Sequence, residues 1–563
     1  MITEWRKRPD ERVRWLEGRC FVHTATLSYG PFPDMLRRFA GIVDDDSPRR
    51  ARQRLDNAVE RLFPGDAEAH AVLANMLAMQ LRREEKALLG RLPGQVLRER
   101  IFGLAEQLMR RLSQERPLVL FLEDMQWSDA STAELVEHLL PLSCTERFAI
   151  VAAGRPEPES PVARIAAAAE NSDGPRPERL TLERLPDSAS LAMVRDLLAM
   201  PELPPQLGVL ISNKAEGNPF FVEEIIRSLI ELGALNRSGE TWTTTRLMDT
   251  ISVPDTLQGL IMARIDRLPD ETKDVVQHAA VIGRTFLYRI LLAIAEASPS
   301  LDADLTHLER SELIRERTRE PEVEYTFEHA LTQEMAYQSL LSSRVRELHR
   351  RVGQAMERIF AYRLGEYYPI VAEHFRSGED WEKTAEYEIL AGNQAAAMFA
   401  PEARVHYERA LDALQHLKST PENKRRQIDL TIALAREVFF GAGAQSPEIG
   451  PVVERLDAAE TPAASLVHPN GRTSDEDRLR VARLYAWIAN AYSIQGDFPG
   501  VARYVDKATA ASKDLQDAQL AARLGQVQLH RGRFKQAITW LAQAVDELPR
   551  HERWIEWIHA NGA

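Results

Sequence analysis

Arg116-Pro-Leu-Val-Leu-Phe-Leu-Glu-Asp-Met-Gln-Trp-Ser-Asp129 is the stretch on which the reading of this chain turns. Leu118 to Leu122 is an unbroken apolar run of strand length, which is what a strand covered on both faces of a parallel sheet requires. It ends on Glu123 and Asp124. In open α/β sheets ligands sit at the C-terminal edge of the strands. Two adjacent carboxylates there suit a hard cation and the phosphates it accompanies. The plainer alternative is a buried strand followed by a solvated acidic turn, because short motifs match by chance.

Working outward, Ser128 and Asp129 open a helix over 130–140, with Asp129 or Ser131 as its N-cap. A second apolar strand, Phe148 to Ala153, ends on Gly154-Arg155. Upstream, Arg14 to Val22 reads as a strand interrupted by Gly18, and helical patterns run over 51–92 and 95–112. Alternating strands and helices predict a parallel α/β sheet. Arg155 sits at the same sheet edge as the acids and either faces a nucleotide's γ-phosphate or pairs with Glu157 or Glu159 in the polar loop that follows. Leu180-Thr-Leu182 is expected to add one more strand.

From Asp187 the pattern is purely helical. Gly217-Asn218 breaks it, and Pro219 suits the first turn of the next helix. The unpaired N–H groups at that helix start suit a phosphate or a ribose edge. The alternative is a plain corner with Phe220, Phe221, Ile225 and Leu229 packed inward. Pro254 to Val345 has the helix spacing of a winged helix: a helix starting at Val253-Pro254, a second over 275–282 stopped by Gly283, a third over 301–313, and a short strand at Tyr325-Thr-Phe327. Beyond Arg346 everything reads as helix pairs. Small residues recur seven apart (Ala385/Gly392, Ala403/Ala410, Val501/Ala508, Ala537/Ala544). Gly496-Asp-Phe498 and Gly532-Arg-Phe534 lie 36 apart, near the ~34-residue tetratricopeptide period. Ser446 to Asp477 is expected to be a long loop or a boundary inside the array. The last stretch, Trp554 to Ile558, suggests an incomplete array or a terminal covering helix.

Composition bounds the function. At 563 residues, roughly four domains of ~150 residues are expected. A net charge of -13 argues against a surface built for nucleic acid, and no clearly basic helix occurs until 344–351. Two cysteines, Cys20 and Cys144, give neither a disulfide framework nor a zinc site. No stretch is apolar enough to span a bilayer and no signal peptide opens the chain, so a cytoplasmic protein is expected. No catalytic triad or paired acid/base constellation stands out.

Taken in order, the acidic strand, Ala-Gly-Arg-Pro-Glu157, Glu-Gly-Asn-Pro-Phe-Phe-Val-Glu-Glu224, Val-Pro-Asp-Thr-Leu257, Ala-Arg-Ile-Asp-Arg-Leu-Pro269, Ala-Ala-Val-Ile-Gly-Arg-Thr-Phe286 and Phe-Glu-His-Ala-Leu-Thr-Gln-Glu-Met-Ala-Tyr337 resemble the multidomain AAA/STAND signalling ATPases. In bacteria these accompany adenylate-cyclase domains, protein kinases or transcriptional regulators. The resemblance covers nearly the whole chain. It implies a mostly α protein with an incomplete parallel α/β, P-loop NTPase-like core over 1–186, a helical lid over 187–253, a winged helix over 254–345 and a tetratricopeptide-like array over 346–563. By the same resemblance Glu123 and Asp124 are the Walker B acids, serving Mg²⁺ and the attacking water. Arg155, Gly217, Asn218 and Pro219 would then contact the nucleotide, and His329 its β-phosphate, although a core-packed helix-start histidine is the alternative.

The departure is large. None of the 28 glycines is followed by lysine, so the phosphate-binding G-x-x-x-x-G-K-[ST] loop is absent. Its N–H cradle and lysine go with it. Glu123 also stands where an aspartate is commoner. Trp15-Leu-Glu-Gly-Arg-Cys20 resembles the family's second core strand. The expectation is an N-terminally truncated piece, lacking the loop segment and an effector, with a central strand missing and ATP and Mg²⁺ bound weakly or not at all; a degenerate, non-hydrolysing relative is the alternative. Two readings remain: a nucleotide-switched signalling module coupling the array to an effector such as an adenylate cyclase, or a non-enzymatic scaffold whose array binds a protein partner.

Overall fold

The computed structural model describes residues 13–20, 26–43, 46–90, 92, 94–171, 177–200, 202–238, 241–245, 254–295, 300–318, 322–441, 449–467 and 473–547. The chain is mostly helical and forms two compact units. One joins Met1–Pro177 to Phe360–Ala563, and the other is Glu178–Ile359.

The first unit opens with β1 (Arg14–Arg19), α1 (Pro31–Ala40) and, after three shorter helices, α2 (Gly94–Glu115). Then come β2 (Leu118–Glu123), α3 (Ala130–Leu139) and β3 (Phe148–Ala152). The three strands form one parallel sheet in the order β1-β2-β3. β2 lies in the middle, and Leu118 to Leu122 are all buried, which explains why its sequence is apolar at every position rather than at alternate ones. β3 is an edge of the described sheet, and its side chains beyond Phe148 are partly exposed. The three strands are contiguous, with no gap between them. β1 is not interrupted at Gly18 as expected. A Cβ there would lie 2.3 Å from Met35 Cε and 2.6 Å from Pro31 Cβ, so the glycine lets α1 lie against the strand. Leu180 and Leu182 form no strand and are 70% and 90% exposed.

The second unit is not purely helical. α4 (Pro219–Glu231) is followed by a hairpin, β4 (Leu235–Ser238) and β5 (Thr241–Thr244). After α5 (Leu257–Asp266) and α6 (Asp270–Ile282), strands β6 (Thr285–Leu287), β7 (Ile314–Thr318) and β8 (Glu324–Phe327) pair antiparallel in the order β6-β8-β7. α7 (Leu301–Arg310) precedes β7, and α8 (Ala330–Gln338) and α9 (Ser342–Ile359) close the unit. α5 starts at Leu257, capped by Thr256, and not at Pro254; Val253 lies outside the described residues. Glu224 on α4 and Arg264 on α5 are both buried and paired. Arg264 also donates to Glu231 and to the Ser311 carbonyl, and so ties α4, α5 and the C-terminal end of α7 together.

The rest of the first unit is an array of helix pairs: α10 (Trp381–Ala397) with α11 (Glu402–Gln415), α12 (Pro421–Gly441), then α13 (Asp475–Gln495) with α14 (Phe498–Ala511) and α15 (Ala518–His530) with α16 (Phe534–Glu547). The paired small residues are buried where helices meet. The expected loop at 446–477 instead holds two helices, Ile449–Ala458 and Glu460–Leu466. Trp554 to Ile558 lie outside the described residues.

Apolar packing runs without a break from the sheet (Leu120, Leu122, Leu135) through Ala403 and Tyr407 to Trp487 and Leu524. Polar contacts fix its register. Glu402, the first residue of α11, reaches the start of α3. Its Oε1 accepts from the Ser131 amide at 3.0 Å, and its Oε2 from the hydroxyls of Ser131 at 2.6 Å and Ser28 at 3.0 Å. One turn on, His406 bridges Glu388 on α10 (2.6 Å) and the Thr26 carbonyl (2.9 Å). Removing a buried carboxylate that caps a helix orphans its donors. Glu402→Ala is therefore expected to lower unfolding stability by about 2–3 kcal/mol in urea melts, and Glu402→Gln, which keeps an acceptor for the Ser131 amide, by clearly less.

Candidate functional site

β2 delivers Glu123 and Asp124 to the C-terminal edge of the sheet. The parallel register puts Arg19, the last residue of β1, beside Glu123. Arg19 Nε lies 2.9 Å from Asp124 Oδ2 and 3.8 Å from Glu123 Oε2. The guanidinium is the more buried partner, with its side chain 15% exposed against 45% for Glu123. Asp124 turns out of the strand at φ 55°, the left-handed region that aspartate tolerates better than most residues. Gln126 Nε2 donates to Asp124 Oδ1 at 3.3 Å, and Gln126 Oε1 accepts from the Arg155 amide at 3.2 Å. Asp124, Gln126 and Arg155 are thus brought together across the β2–β3 edge. The Arg155 side chain is exposed, and its guanidinium pairs with neither Glu157 nor Glu159 among the described residues.

These residues do not fit a Mg²⁺–phosphate group as they stand. Both oxygens of Asp124 already accept hydrogen bonds, one of them from a cation that a metal ion would have to displace. No cluster of three or more His, Cys, Asp or Glu able to hold a metal occurs among the described residues. The sequence supplies no G-K loop for the phosphates.

Directly after the acids, Asp129 caps α3. Its Oδ1 accepts from the amides of Thr132 (2.7 Å) and Tyr29 (3.0 Å), and its Oδ2 from Gly30 N (3.0 Å) and Thr132 Oγ1 (2.6 Å). One helix N-terminus therefore receives two buried carboxylates, Asp129 and Glu402.

In the other unit, Gly217 has φ 72°, and its carbonyl accepts from Leu185 N at 2.7 Å. A Cβ there would sit 2.2 Å from the Leu185 carbonyl oxygen, so only glycine makes this corner. Asn218 Oδ1 accepts from Phe220 N at 3.0 Å and caps α4, with Pro219 in its first turn. Phe220 is not packed inward as in the plain-corner alternative. Its ring stacks on His329, the N-cap residue of α8, with centroids 3.5 Å apart and planes at 29°. The Gly217–Pro219 corner and His329, far apart in sequence, therefore belong to one locality. Burial pushes the His329 imidazolium down to about 4, helped by the cations of Arg227, Arg284, Arg264 and Arg315, so the ring is neutral at pH 7.

Sequence reasoning missed Arg19, Gln126, Glu402, His406 and the arginines around His329. Arg19 had a signal: a cation ending the strand that neighbours an acid-ended one. Glu402 had none, since only the folded chain brings it to Ser131.

Comparison with known proteins places the first region. Residues 1–151 match the family model described as the AAA ATPase domain. A curated relative, an uncharacterized protein of Rhizobium meliloti (strain 1021), is 24% identical over 363 residues, which is 63% of this chain and 34% of that protein. The chain thus spans about a third of that relative's length. Among solved structures, a signal transduction ATPase with numerous domains and a tetratricopeptide repeat sensor from Pyrococcus horikoshii aligns over 95% of this chain and 68% of that one, at 11% identity and a TM-score of 0.41. Among the described residues no helix is long and apolar enough to cross a membrane.

Burial, then the neighbouring Glu402 carboxylate, raises the Asp129 carboxyl to about 7 against the pull of its four donors. An acid whose folded pKa lies above its unfolded value of ~3.9 stabilises the fold fully below that value and loses the contribution as pH rises through about 7. Glu402→Gln removes the repelling charge. Urea melts at stepped pH between 4 and 7 are therefore expected to show a shallower fall of stability with pH in Glu402→Gln than in the native chain.

Proposed function

We propose, from the AAA ATPase match of residues 1–151, that this chain is the regulatory part of a nucleotide-switched signalling ATPase. In this reading residues 1–186 are the ATPase core, 187–253 a helical lid, 254–345 a winged helix and 346–563 a sensor array of tetratricopeptide type that binds a protein partner. The output passes to an effector such as an adenylate cyclase or a transcriptional regulator. AAA ATPase domains as a class bind nucleotide with Mg²⁺, and here Glu123, Asp124 and Arg155 would line the core's share of the site. The arginine-ringed His329 and the Gly217–Pro219 corner would meet phosphate. The protein would be cytoplasmic and would not contact nucleic acid directly.

The observation that carries this reading is the Glu402 cap. The helix that starts six residues after Asp124 takes part of its N-terminal cap from the first residue of an array helix. A partner that moves α11 must therefore disturb α3, and through it the turn that holds the acids. A scaffold with an idle α/β remnant gives no reason for a buried carboxylate at that point. The second reading, a non-enzymatic scaffold, draws on the poor fit of the acid pair to Mg²⁺ and on the missing G-K loop.

Titration of a fluorescent ADP or ATP analogue with Mg²⁺ separates the two. This chain alone is expected to bind in the millimolar range or not at all. The same chain preceded by a strand–loop–helix bearing G-x-x-x-x-G-K-[ST] is expected to bind at micromolar concentration, with Glu402→Ala changing its affinity. Failure of both forms to bind would remove nucleotide switching and leave the scaffold.

A further inference from the structure

Three helices of the array, α12, α13 and α15, each send an arginine into one cavity. Arg436, Arg483 and Arg523 line it with the Trp487 indole, the Gln519 amide and Leu520. The space is about 30 Å³, two to three times the ~10–15 Å³ that a single water needs by the same measure.

Among the described residues, the donors of Arg436 and Arg483 are only partly used. Asp517 takes Arg483 through Nε, at 3.0 Å from Oδ1, and through Nη2. Nη1 of Arg483 has no acceptor among the described residues. Arg436 meets Glu437 through Nε alone, at 3.3 Å, and both of its terminal nitrogens likewise have no acceptor there. Arg523, 2% exposed, lies over Trp487 with Cζ 3.6 Å from the ring centroid, and its Nη1 donates to Gln526 Oε1 at 2.6 Å. Stacking on the indole holds the guanidinium plane fixed.

We infer that this cavity is a receptor for a single carboxylate carried by an acidic peptide segment of a protein partner. Guanidinium forks donate pairwise in the plane in which a carboxylate accepts. The buried wall formed by Trp487, Leu520 and Arg523 lowers the local dielectric on one side and makes such a bond stronger there than at an open surface. The space suits one carboxylate with a methylene along Leu520 and the indole. The site lies on α12, α13 and α15, away from the Glu402 end of the array. It rests on the reading of the array as the partner-binding part of the chain.

The test is fluorescence anisotropy with the full chain and capped fluorescein-labelled hexapeptides, Gly-Leu-Glu-Glu-Leu-Gly against Gly-Leu-Gln-Gln-Leu-Gly. A third peptide with the glutamine sequence and a free C-terminal carboxylate separates a side-chain source from a chain-end source. The expected result is that at least one carboxylate-bearing peptide binds about ten-fold or more tighter than the capped glutamine peptide. Arg436→Gln and Arg523→Met should each abolish that preference. Arg436 has 38% of its side chain exposed, so Arg436→Gln keeps the test alive if Arg523→Met fails to fold. Equal binding of all three peptides, or a preference that survives Arg436→Gln, would overturn the pocket while leaving the array as a binding surface. Binding of none would overturn both.

Discussion

The start of α3 is where the first unit is held in register. Its first-turn amides have no partner within the helix, and they receive two carboxylates, Asp129 from the cap position and Glu402 from the array. Two acids at one buried helix end repel each other, and the arrangement stands because donors surround each of them. Asp129 takes three amides and a hydroxyl, and Glu402 takes an amide and two hydroxyls. The positive end of the helix dipole adds to this. The loop 26–30 is caught in the same net, through Ser28, Tyr29 and Gly30 and through the His406 contact to Thr26. A displacement of α11 would expose several polar groups at once, so the array and the sheet edge behave as one mechanical piece.

That coupling gives the acid pair its context. At the C-terminal end of a parallel sheet, repulsion between Glu123 and Asp124 has to be offset by a cation. In this chain Arg19 supplies it from the neighbouring strand. A guanidinium and a hydrated Mg²⁺ compete for the same oxygens, and the guanidinium is covalently tethered at high local concentration. A metal would prevail only with further ligands, such as nucleotide phosphates held from the other side. The acid pair at this sheet edge is therefore present in a form that the chain's own residues neutralise.

Legibility followed sequence distance. The apolar run of β2, its match in β3, the Asp129 cap and the glycines at 496 and 532 all announce themselves within a few residues. Gly496 and Gly532 do turn at φ 78° and 69° between successive helices. The Leu180–Leu182 strand failed because alternation over three residues specifies little without a neighbour to pair with. The helices within 446–477 were hidden by prolines, yet Pro451 and Pro462 sit near helix starts, where a missing N–H costs nothing. The hairpin β4–β5 was overlooked because two four-residue strands lie inside a long helical pattern. Glu402 and the His406–Glu388 pair arise from packing alone and leave no local trace.

In the second unit the same physics makes arginine, not histidine, the source of charge. With its imidazolium depressed to about 4, His329 contributes at neutral pH a flat neutral ring stacked on Phe220 and one N–H donor. Arg227 is matched by Glu224 and Glu312, Arg264 by Glu224 and Glu231, and Arg315 by Glu328. The surround is therefore a network of ion pairs, and burial comes first among the causes that keep the imidazole neutral. His329 serves as a flat packing partner for Phe220 at the start of α8, while Arg264 ties α5 to two carboxylates of α4.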